Sequence, residues 1–182
     1  TFDLIWGLEV ERHRFDLPGR FFHELMPPTI RKMLAAFYTR PQAADILSAL
    51  TIESSDATVF DPASGSGTIL AAAYRRKRDL FDNERKVGNP HRRFCEEEIF
   101  GADIMPFAVH LTSANLAAMD PATKIGRTQV IQGDSLKLSR GRSYQAGLQL
   151  ELLPTPRPAT TTEGETYDVA LNEVDCILMN PP

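Results

Sequence analysis

The stretch Asp61-Pro62-Ala63-Ser64-Gly65-Ser66-Gly67-Thr68 decides the fold of this chain. An apolar run at residues 57–60 precedes it, and an alanine-rich segment at 68–78 follows it. The run predicts a buried strand and the segment predicts a helix, so the stretch is a strand-to-helix turn. Its glycines permit positive φ and let a ligand approach the backbone closely. A nicotinamide-dinucleotide fingerprint would need a third glycine, which residues 65–70 lack. A tight turn without a ligand is the alternative interpretation.

Three more β-prone runs end in the same way, at a polar residue close to glycine or proline. They predict strands at 98–102, 128–132 and 174–179, and helical patterns at 41–50 and 106–119 complete the alternation. Such an order is typical of an open parallel α/β sheet, in which ligands bind at the carboxyl ends of the strands. The polar residues expected at that edge are Asp61, Asp103, Asp134 and Asn180.

The rest of the chain divides by composition. We expect residues 1–50 to form a helical N-terminal segment and residues 51–182 to form part of a catalytic domain. Residues 137–170 are rich in proline and threonine and predict a long polar surface connection. Residues 79–98 are densely charged and predict a solvated, irregular connection. The basic run at 75–78 is a candidate for phosphate contacts, and its alternative is the solvated end of a helix.

Composition sets limits on function. The 182 residues are 42% hydrophobic and 24% charged, as is usual for a globular protein, and the net charge of −4 argues against a generally cationic nucleic-acid binder. Cys95 and Cys176 match no metal-ligand spacing and predict reduced thiols of a cytoplasmic protein. No run is long and apolar enough to predict a membrane span. The chain starts without Met and ends on a motif, which we interpret as an excised fragment.

The glycine turn resembles the first motif of the class I methyltransferases that use S-adenosylmethionine, in the DPxxGSG form of the DNA adenine-N6 methyltransferases. Gly101-Ala102-Asp103-Ile104 and Gly133-Asp134-Ser135-Leu136 resemble the second and third motifs. The resemblance implies a Rossmann-like parallel sheet, incomplete in this chain. It also implies that Asp103 accepts hydrogen bonds from the ribose, that Ile104 packs on the cofactor's adenine, and that Asp134 accepts from its amino group. The alternative for either Asp is a helix cap or a turn.

Two further elements resemble the same family. Phe37-Tyr38-Thr39-Arg40-Pro41 resembles its FYTP element, with Arg40 before the proline, and implies that Tyr38 and Thr39 lie over the methionine end of the cofactor. Asn180-Pro181-Pro182 resembles the fourth motif, (D/N/S)PP(Y/F/W), whose Asn side chain and first Pro carbonyl accept both hydrogens of the target amino group. The family's stacking aromatic would come immediately after Pro182, so we expect the fragment to bind cofactor and to be inactive alone.

The order of the motifs resembles the gamma-type methyltransferases of restriction–modification systems. It implies methyl transfer from S-adenosylmethionine to adenine N6 in DNA, without a metal, with DNA read by regions outside this chain. A restriction or specificity subunit, or a fused domain, is the implied partner. Methylation of an RNA base or a protein glutamine, and a non-catalytic module, are the alternatives. The implied catalytic residues are Asn180, Pro181 and Pro182; the implied cofactor-binding residues are Tyr38, Thr39, Asp61, Ala63, Gly65, Gly67, Asp103, Ile104, Asp134 and Ser135.

Overall fold

The computed structural model describes residues 39–138, 143–146, 159–160, 166–170 and 173–181. Its helices are α1 (Pro41–Thr51), α2 (Thr68–Asn83), the short α3 (His91–Arg93) and α4 (Pro106–Ala118), with a π-helical turn at Phe94–Glu98 and a 3₁₀ turn at Ser135–Lys137. Its strands are β1 (Val59–Asp61), β2 (Ile99–Asp103), β3 (Gln129–Gln132), β4 (Ser143–Ala146), β5 (Ala159–Thr160), β6 (Thr166–Ala170) and β7 (Cys176–Ile177).

The main sheet of the described residues is parallel throughout, with the strand order β3-β2-β1-β7. The chain moves outward from β1 through β2 to β3 and then returns to place β7 on the other side of β1. This reversal is the topological switch point at which open α/β sheets bind ligands. The α/β class and the parallel sheet that the sequence predicts are therefore confirmed.

The two faces of the main sheet are covered differently. Helices α2 and α4 pack on one face, where Val59 and Val130 belong to the main hydrophobic core. On the other face, Phe100 and Ile131 pack around Val169 of β6. Strand β6 belongs to a small antiparallel sheet of order β4-β6-β5. A second sheet, through Val169, therefore contributes to the cover of this face.

The small antiparallel sheet corrects the expectation for residues 137–170. Strands β4, β5 and β6 all lie in this segment, and Val169 is fully buried. The prediction of a long surface connection is therefore wrong for this part of it. In an antiparallel strand only alternate side chains face the core, so a strand such as β6 keeps a polar composition while it buries an apolar residue.

The predicted elements otherwise need only small changes at their ends. The helix predicted at 68–78 continues to Asn83, and the strand predicted at 174–179 narrows to Cys176–Ile177. Backbone pairing still continues past β7, because the Leu178 N–H donates to the Phe60 carbonyl at 3.0 Å. Of the predicted N-terminal helical segment the structure describes α1, and the rest lies outside the described residues.

The solvated connection predicted for residues 79–98 is observed at 82–89, which are exposed, but the prediction is wrong for much of 90–98. His91, Glu96 and Glu98 are buried. The Tyr74 hydroxyl lies 2.8 Å from His91 Nδ1, and burial lowers the pKa of this histidine. Glu96 accepts a hydrogen bond from the Gly126 N–H at 2.7 Å. Charged side chains are tolerated inside a protein when they are paired or hydrogen-bonded, which composition alone does not reveal.

Lys77 is the centre of a buried ion pair at the amino-terminal edge of the sheet. The run 75–78 lies in the middle of α2, so its interpretation as a helix end is wrong. Lys77 is fully buried, its Nζ lies 2.8 Å from Glu98 Oε2, and it also donates to the Ala57 carbonyl. Burial lowers the pKa of Lys77, and the neighbouring Glu98 carboxylate opposes that shift. Lys77 is therefore a core residue and not a phosphate contact.

Lys77→Met is expected to lower the free energy of unfolding by about 3–5 kcal/mol, because it leaves the Glu98 carboxylate without its buried partner. Urea unfolding measures the change. Arg78→Ala is the matched control, since Arg78 is the next residue of α2 and its ion pair with Asp82 at 3.7 Å is partly exposed. It should cost less than about 1 kcal/mol. Equal losses for the two variants would contradict a structural role for the Lys77 charge.

Candidate active site

The glycine turn lies between the carboxyl ends of β1 and β2 and is held there by hydrogen bonds. The Ser64 N–H donates to the Ala102 carbonyl at 2.9 Å. The Gly65 N–H donates to Asp103 Oδ2 at 2.9 Å. Both bonds tie the turn after β1 to the end of β2, so the first and second sequence motifs form one unit.

Helix α4 fixes the same turn from its other side. The Thr112 hydroxyl donates to the Gly65 carbonyl at 3.0 Å, and Asn115 Nδ2 donates to the Ser66 carbonyl at 2.7 Å. Both side chains are buried. Neither residue is among the site residues that the sequence predicts. The available signal was a pair of polar residues three positions apart on one face of a mostly apolar helix.

The two glycines of the turn have different surroundings. Gly67 has φ +84°, and a Cβ there would lie 3.0 Å from the Thr112 Cα. Gly65 has φ +53°, and a Cβ there would meet nothing within 4 Å among the described residues. Gly67 is therefore required by packing against α4. Gly65 faces open space, as expected where a ligand approaches the backbone.

Asp61 is buried behind the turn. Its Oδ1 accepts from the Ala63 N–H at 3.0 Å, and its Oδ2 has no hydrogen-bond partner among the described residues. Burial raises the pKa of Asp61 to about 7, with the Asp103 charge adding to the effect. An unpartnered buried carboxyl oxygen at a ligand-binding edge marks a place where a further donor or a positive charge would be stabilising.

Asp103 combines a structural role with an accessible position at the edge. Besides holding Gly65, it accepts from the Met105 N–H at 2.8 Å, just before α4 begins. Burial raises the pKa of Asp103, and these backbone donors oppose the shift. The next side chain, Ile104, is 69% exposed. The turn alternative for Asp103 is therefore observed, and the second lone pairs of its oxygens leave room for a ligand as well.

Asp134 follows β3 at the same edge. The Gly133 N–H donates to the Asp103 carbonyl at 2.9 Å, which joins the second and third motifs. Asp134 Oδ1 accepts from the Leu136 N–H at 3.1 Å, and Lys137 Nζ lies 3.3 Å from Asp134 Oδ2. The turn alternative is thus observed here too. The Leu136 side chain is 94% exposed, and with Ile104 it adds an apolar residue after each of the two strands.

Asn180 and Thr39 come together beyond the end of β7. Asn180 Nδ2 donates to Thr39 Oγ1 at 3.2 Å, although 141 positions separate the two residues. Pro181 is exposed next to Asn180. The structure therefore brings the fourth motif into contact with the FYT element. Tyr38 and Pro182 lie outside the described residues.

The described residues contain no group of three or more His, Cys, Asp or Glu arranged to hold a metal ion. None of the helices in the described ranges is long and apolar enough to cross a membrane. Cys95 and Cys176 are both buried and free. Burial raises the pKa of the Cys95 thiol to about 12, so this thiol is not an activated nucleophile.

The fold and the site define the class of protein. The chain is a Rossmann-like α/β domain whose polar site residues lie at the carboxyl edge of a parallel sheet, at its switch point. The sequence model of the family described as N-6 DNA methylase matches residues 25–182. The chain therefore belongs to the N-6 DNA methylase family, which confirms the resemblance of its motifs.

The chain is also similar to the crystal structure of a modification subunit assigned to a type I restriction enzyme from Vibrio vulnificus YJ016. The two share 23% sequence identity with a TM-score of 0.37. The match covers 56% of this chain and 21% of that chain, so this chain spans a small part of that subunit's length. No curated protein matches the chain.

Gly67→Ala is expected to destabilise the protein more than Gly65→Ala. Both substitutions place a Cβ at positive φ, which costs about 1–2 kcal/mol. Gly67→Ala also forces the added carbon against the α4 backbone, and overpacking of this kind costs a further 1–3 kcal/mol or so. Urea unfolding of the two variants measures the difference. Equal losses would mean that the turn does not pack on Thr112 as tightly as the structure has it.

Asp61→Asn is expected to remove a pH dependence from the stability of the ligand-free protein. Folding raises the pKa of Asp61 from 3.8 to about 7, so the folded state binds its proton more tightly than the unfolded chain. This contribution to stability is complete below about pH 4 and is lost as the pH rises through about 7. Between pH 5 and pH 8 the wild-type protein should lose roughly 2–3 kcal/mol more than the variant.

Urea unfolding at the two pH values measures this effect. Asp79→Asn is the control, because Asp79 is an exposed carboxyl on α2. It should keep the wild-type profile. A wild-type profile in the Asp61→Asn protein would show that this carboxyl ionises as easily in the folded state as in the unfolded chain.

Proposed function

We propose that this chain is the cofactor-binding part of a methyltransferase that transfers a methyl group from S-adenosylmethionine to adenine N6 in DNA, within a restriction–modification system. The observation that carries the proposal is the arrangement at one sheet edge. The glycine turn, Asp103 and Asp134 follow neighbouring strands, and Asn180-Pro181 follows β7 beside β1. Membership of the N-6 DNA methylase family over residues 25–182 supports the same activity.

The charge of the edge supports S-adenosylmethionine as the cofactor. Asp61 and Asp103 lie close enough for the charge of Asp103 to raise the pKa of Asp61. S-adenosylmethionine carries a sulfonium and an ammonium group, which such carboxylates attract. The pyrophosphate of a dinucleotide would be repelled by the same groups. The residues present therefore fit the methyl donor better than they fit a dinucleotide.

The shape of the edge supports the same cofactor. The open space at Gly65 admits a ligand to the backbone of the turn. We assign the methionine part to the turn and Asp61, the ribose to Asp103, and the adenine to Asp134 with Ser135. The exposed Ile104 offers an apolar surface for the adenine ring. The family resemblance implies that Tyr38 and Thr39 lie over the methionine end, and that Ala63 is a further cofactor-binding residue.

The chemistry at the target base needs positioning more than activation. When bound, S-adenosylmethionine supplies an electrophilic methyl group. Adenine N6 is a weak nucleophile because its lone pair is delocalised into the ring. In the proposed reaction, Asn180 Oδ1 and the Pro181 carbonyl accept the two N6 hydrogens, which localises the lone pair on the nitrogen and directs it outward. The bond from the methyl carbon to sulfur breaks as the bond to N6 forms, a neutral thioether leaves, and the methylated N6 releases one proton to water. Catalysis of this kind rests on orientation and on fixed dipoles.

Methylation of a base within DNA requires partners beyond the cofactor. A target base held in this way must leave the DNA duplex, as it does in other enzymes that modify bases. The net charge of −4 argues against this chain as the main DNA-binding surface, so we assign DNA reading to a specificity subunit or a further domain. A DNA substrate and the free thiols of Cys95 and Cys176 fit a cytoplasmic protein.

The activity is tested with the full-length protein, S-adenosylmethionine carrying a labelled methyl group, and duplex DNA. We expect labelled N6-methyladenine. Asn180→Ala should lower kcat by about a hundredfold or more while it leaves cofactor binding intact, since it removes one fixed acceptor. Gly65→Ala should weaken cofactor binding, measured by calorimetric titration, because its methyl group occupies the open space.

Gly88→Ala is the matched control for Gly65→Ala. Gly88 also has positive φ, +103°, and a Cβ there meets nothing within 4 Å among the described residues, but it lies away from the edge. It should bind cofactor like the wild-type protein. If the labelled methyl group appears in RNA or in a protein glutamine and not in DNA, DNA is not the substrate. Absence of any binding heat in the calorimetric titration with S-adenosylmethionine would contradict its assignment as the cofactor.

A further inference from the structure

The proposed reaction uses Asn180 Oδ1 as an acceptor, whereas the contact between Asn180 and Thr39 involves the Nδ2 atom of the same amide. Asn180 Nδ2 donates to Thr39 Oγ1 at 3.2 Å. Asn180 is exposed, and Thr39 is half-buried. Within the described ranges, no other hydrogen bond holds the Asn180 side chain. Among the described residues, the Thr39 hydroxyl is therefore the group that orients this amide.

Helix α1 begins two residues after Thr39 and is itself tied to neighbouring elements. Its last residue, Thr51, accepts a hydrogen bond through its carbonyl from Cys176 Sγ at 3.5 Å, at the start of β7. At the other end of the helix, Arg40 precedes its first residue and follows Thr39. Thr39 contacts Asn180 beyond the end of β7. The end of α1 therefore contacts the start of β7, and the residue two positions before α1 contacts the residue three positions after β7. An ion pair from Asp45 to Arg75, at 2.6 Å, ties α1 in turn to α2.

An amide side chain has two different ends, and only one of them suits the target. The oxygen accepts hydrogen bonds, and the NH₂ group donates them. An adenine amino group also donates, so an amide turned the wrong way would set donor against donor. A hydroxyl that accepts from Nδ2 leaves Oδ1 to point elsewhere. It also polarises the amide, which strengthens Oδ1 as an acceptor.

We propose that Thr39 is a positioning residue for the methyl acceptor: its hydroxyl accepts from Asn180 Nδ2 and thereby presents Asn180 Oδ1 to the substrate amino group. This inference rests on the proposed function. It differs from the role that the family resemblance implies for Thr39, which is contact with the methionine end of the cofactor. The two roles predict different kinetic changes.

The test compares Thr39→Val with Thr39→Ser in the full-length protein. Valine keeps the shape of the side chain and removes the hydroxyl, whereas serine keeps the hydroxyl. We expect Thr39→Val to lower kcat about five- to tenfold, the effect of one lost hydrogen bond, with an unchanged KM for S-adenosylmethionine. Thr39→Ser should retain kcat within about twofold of the wild-type protein.

A measurement without cofactor or substrate gives an independent readout. The side-chain NH₂ signals of Asn180 are identified in isotope-labelled protein by their loss in Asn180→Asp. Loss of the bond in Thr39→Val should move them upfield and speed their exchange with water, and Thr39→Ser should keep them in place. Thermal unfolding checks that both variants are folded. If Thr39→Val does not fold, the Asn180 NH₂ signals and the kcat of Thr39→Ser decide whether the inference stands.

Three outcomes would overturn the inference. The first is wild-type kcat and unchanged Asn180 signals in Thr39→Val. The second is a loss in Thr39→Val that appears only in the KM for S-adenosylmethionine, which would assign Thr39 to the cofactor. The third is a Thr39→Ser protein as impaired as Thr39→Val, with displaced Asn180 signals. If the wild-type protein transfers no methyl group at all, the proposed function fails instead, and the Asn180 signals still test the contact.

Discussion

The carboxylate of Asp103 is the constraint on which the site depends. One oxygen accepts from the Gly65 N–H and the other from the Met105 N–H, so a single side chain joins the turn after β1, the end of β2 and the start of α4. Hydrogen bonds to a charged acceptor contribute about 1.5–3 kcal/mol each. They offset the burial that raises the pKa of Asp103 and keep a partly desolvated carboxylate in place. Helix α4 also contacts the turn directly, because the Thr112 hydroxyl donates to the Gly65 carbonyl.

Much of this arrangement is visible in the sequence because it depends on local rules. Short apolar runs that end at Asp or Asn predict strands, and strands separated by helical patterns predict a parallel sheet. The carboxyl ends of parallel strands lie at one edge, so the order of elements already places Asp61, Asp103 and Asp134 together. The helix and strand bounds then differ from the predicted ones mainly at their ends.

The rest depends on contacts between distant parts of the chain. The polar pair Thr112 and Asn115 marks one face of α4, but the sequence does not identify its partners, because these lie 47 and 49 positions away. Lys77 belongs to a basic run that is typical of a solvated surface, and its distant partners Glu98 and the Ala57 carbonyl allow it to be buried. The burial of Val169 is hidden in the same way, since one apolar residue among polar ones does not predict which face receives it.

The ion pairs at the amino-terminal edge stabilise the sheet at the end opposite to the candidate site. Lys77, Glu98, Arg93 and Asp56 form a chain of ion pairs there, and none of them takes part in the contacts at the carboxyl-terminal edge. The outer pairs are open to dissolved ions, whereas the inner Lys77–Glu98 pair is shielded from them. The strands therefore stay aligned at one end through ion pairs that do not depend on the exposed side chains at the other end, such as Ile104 and Leu136. Such a layout lets ligand preference drift during evolution without loosening the scaffold that supports it.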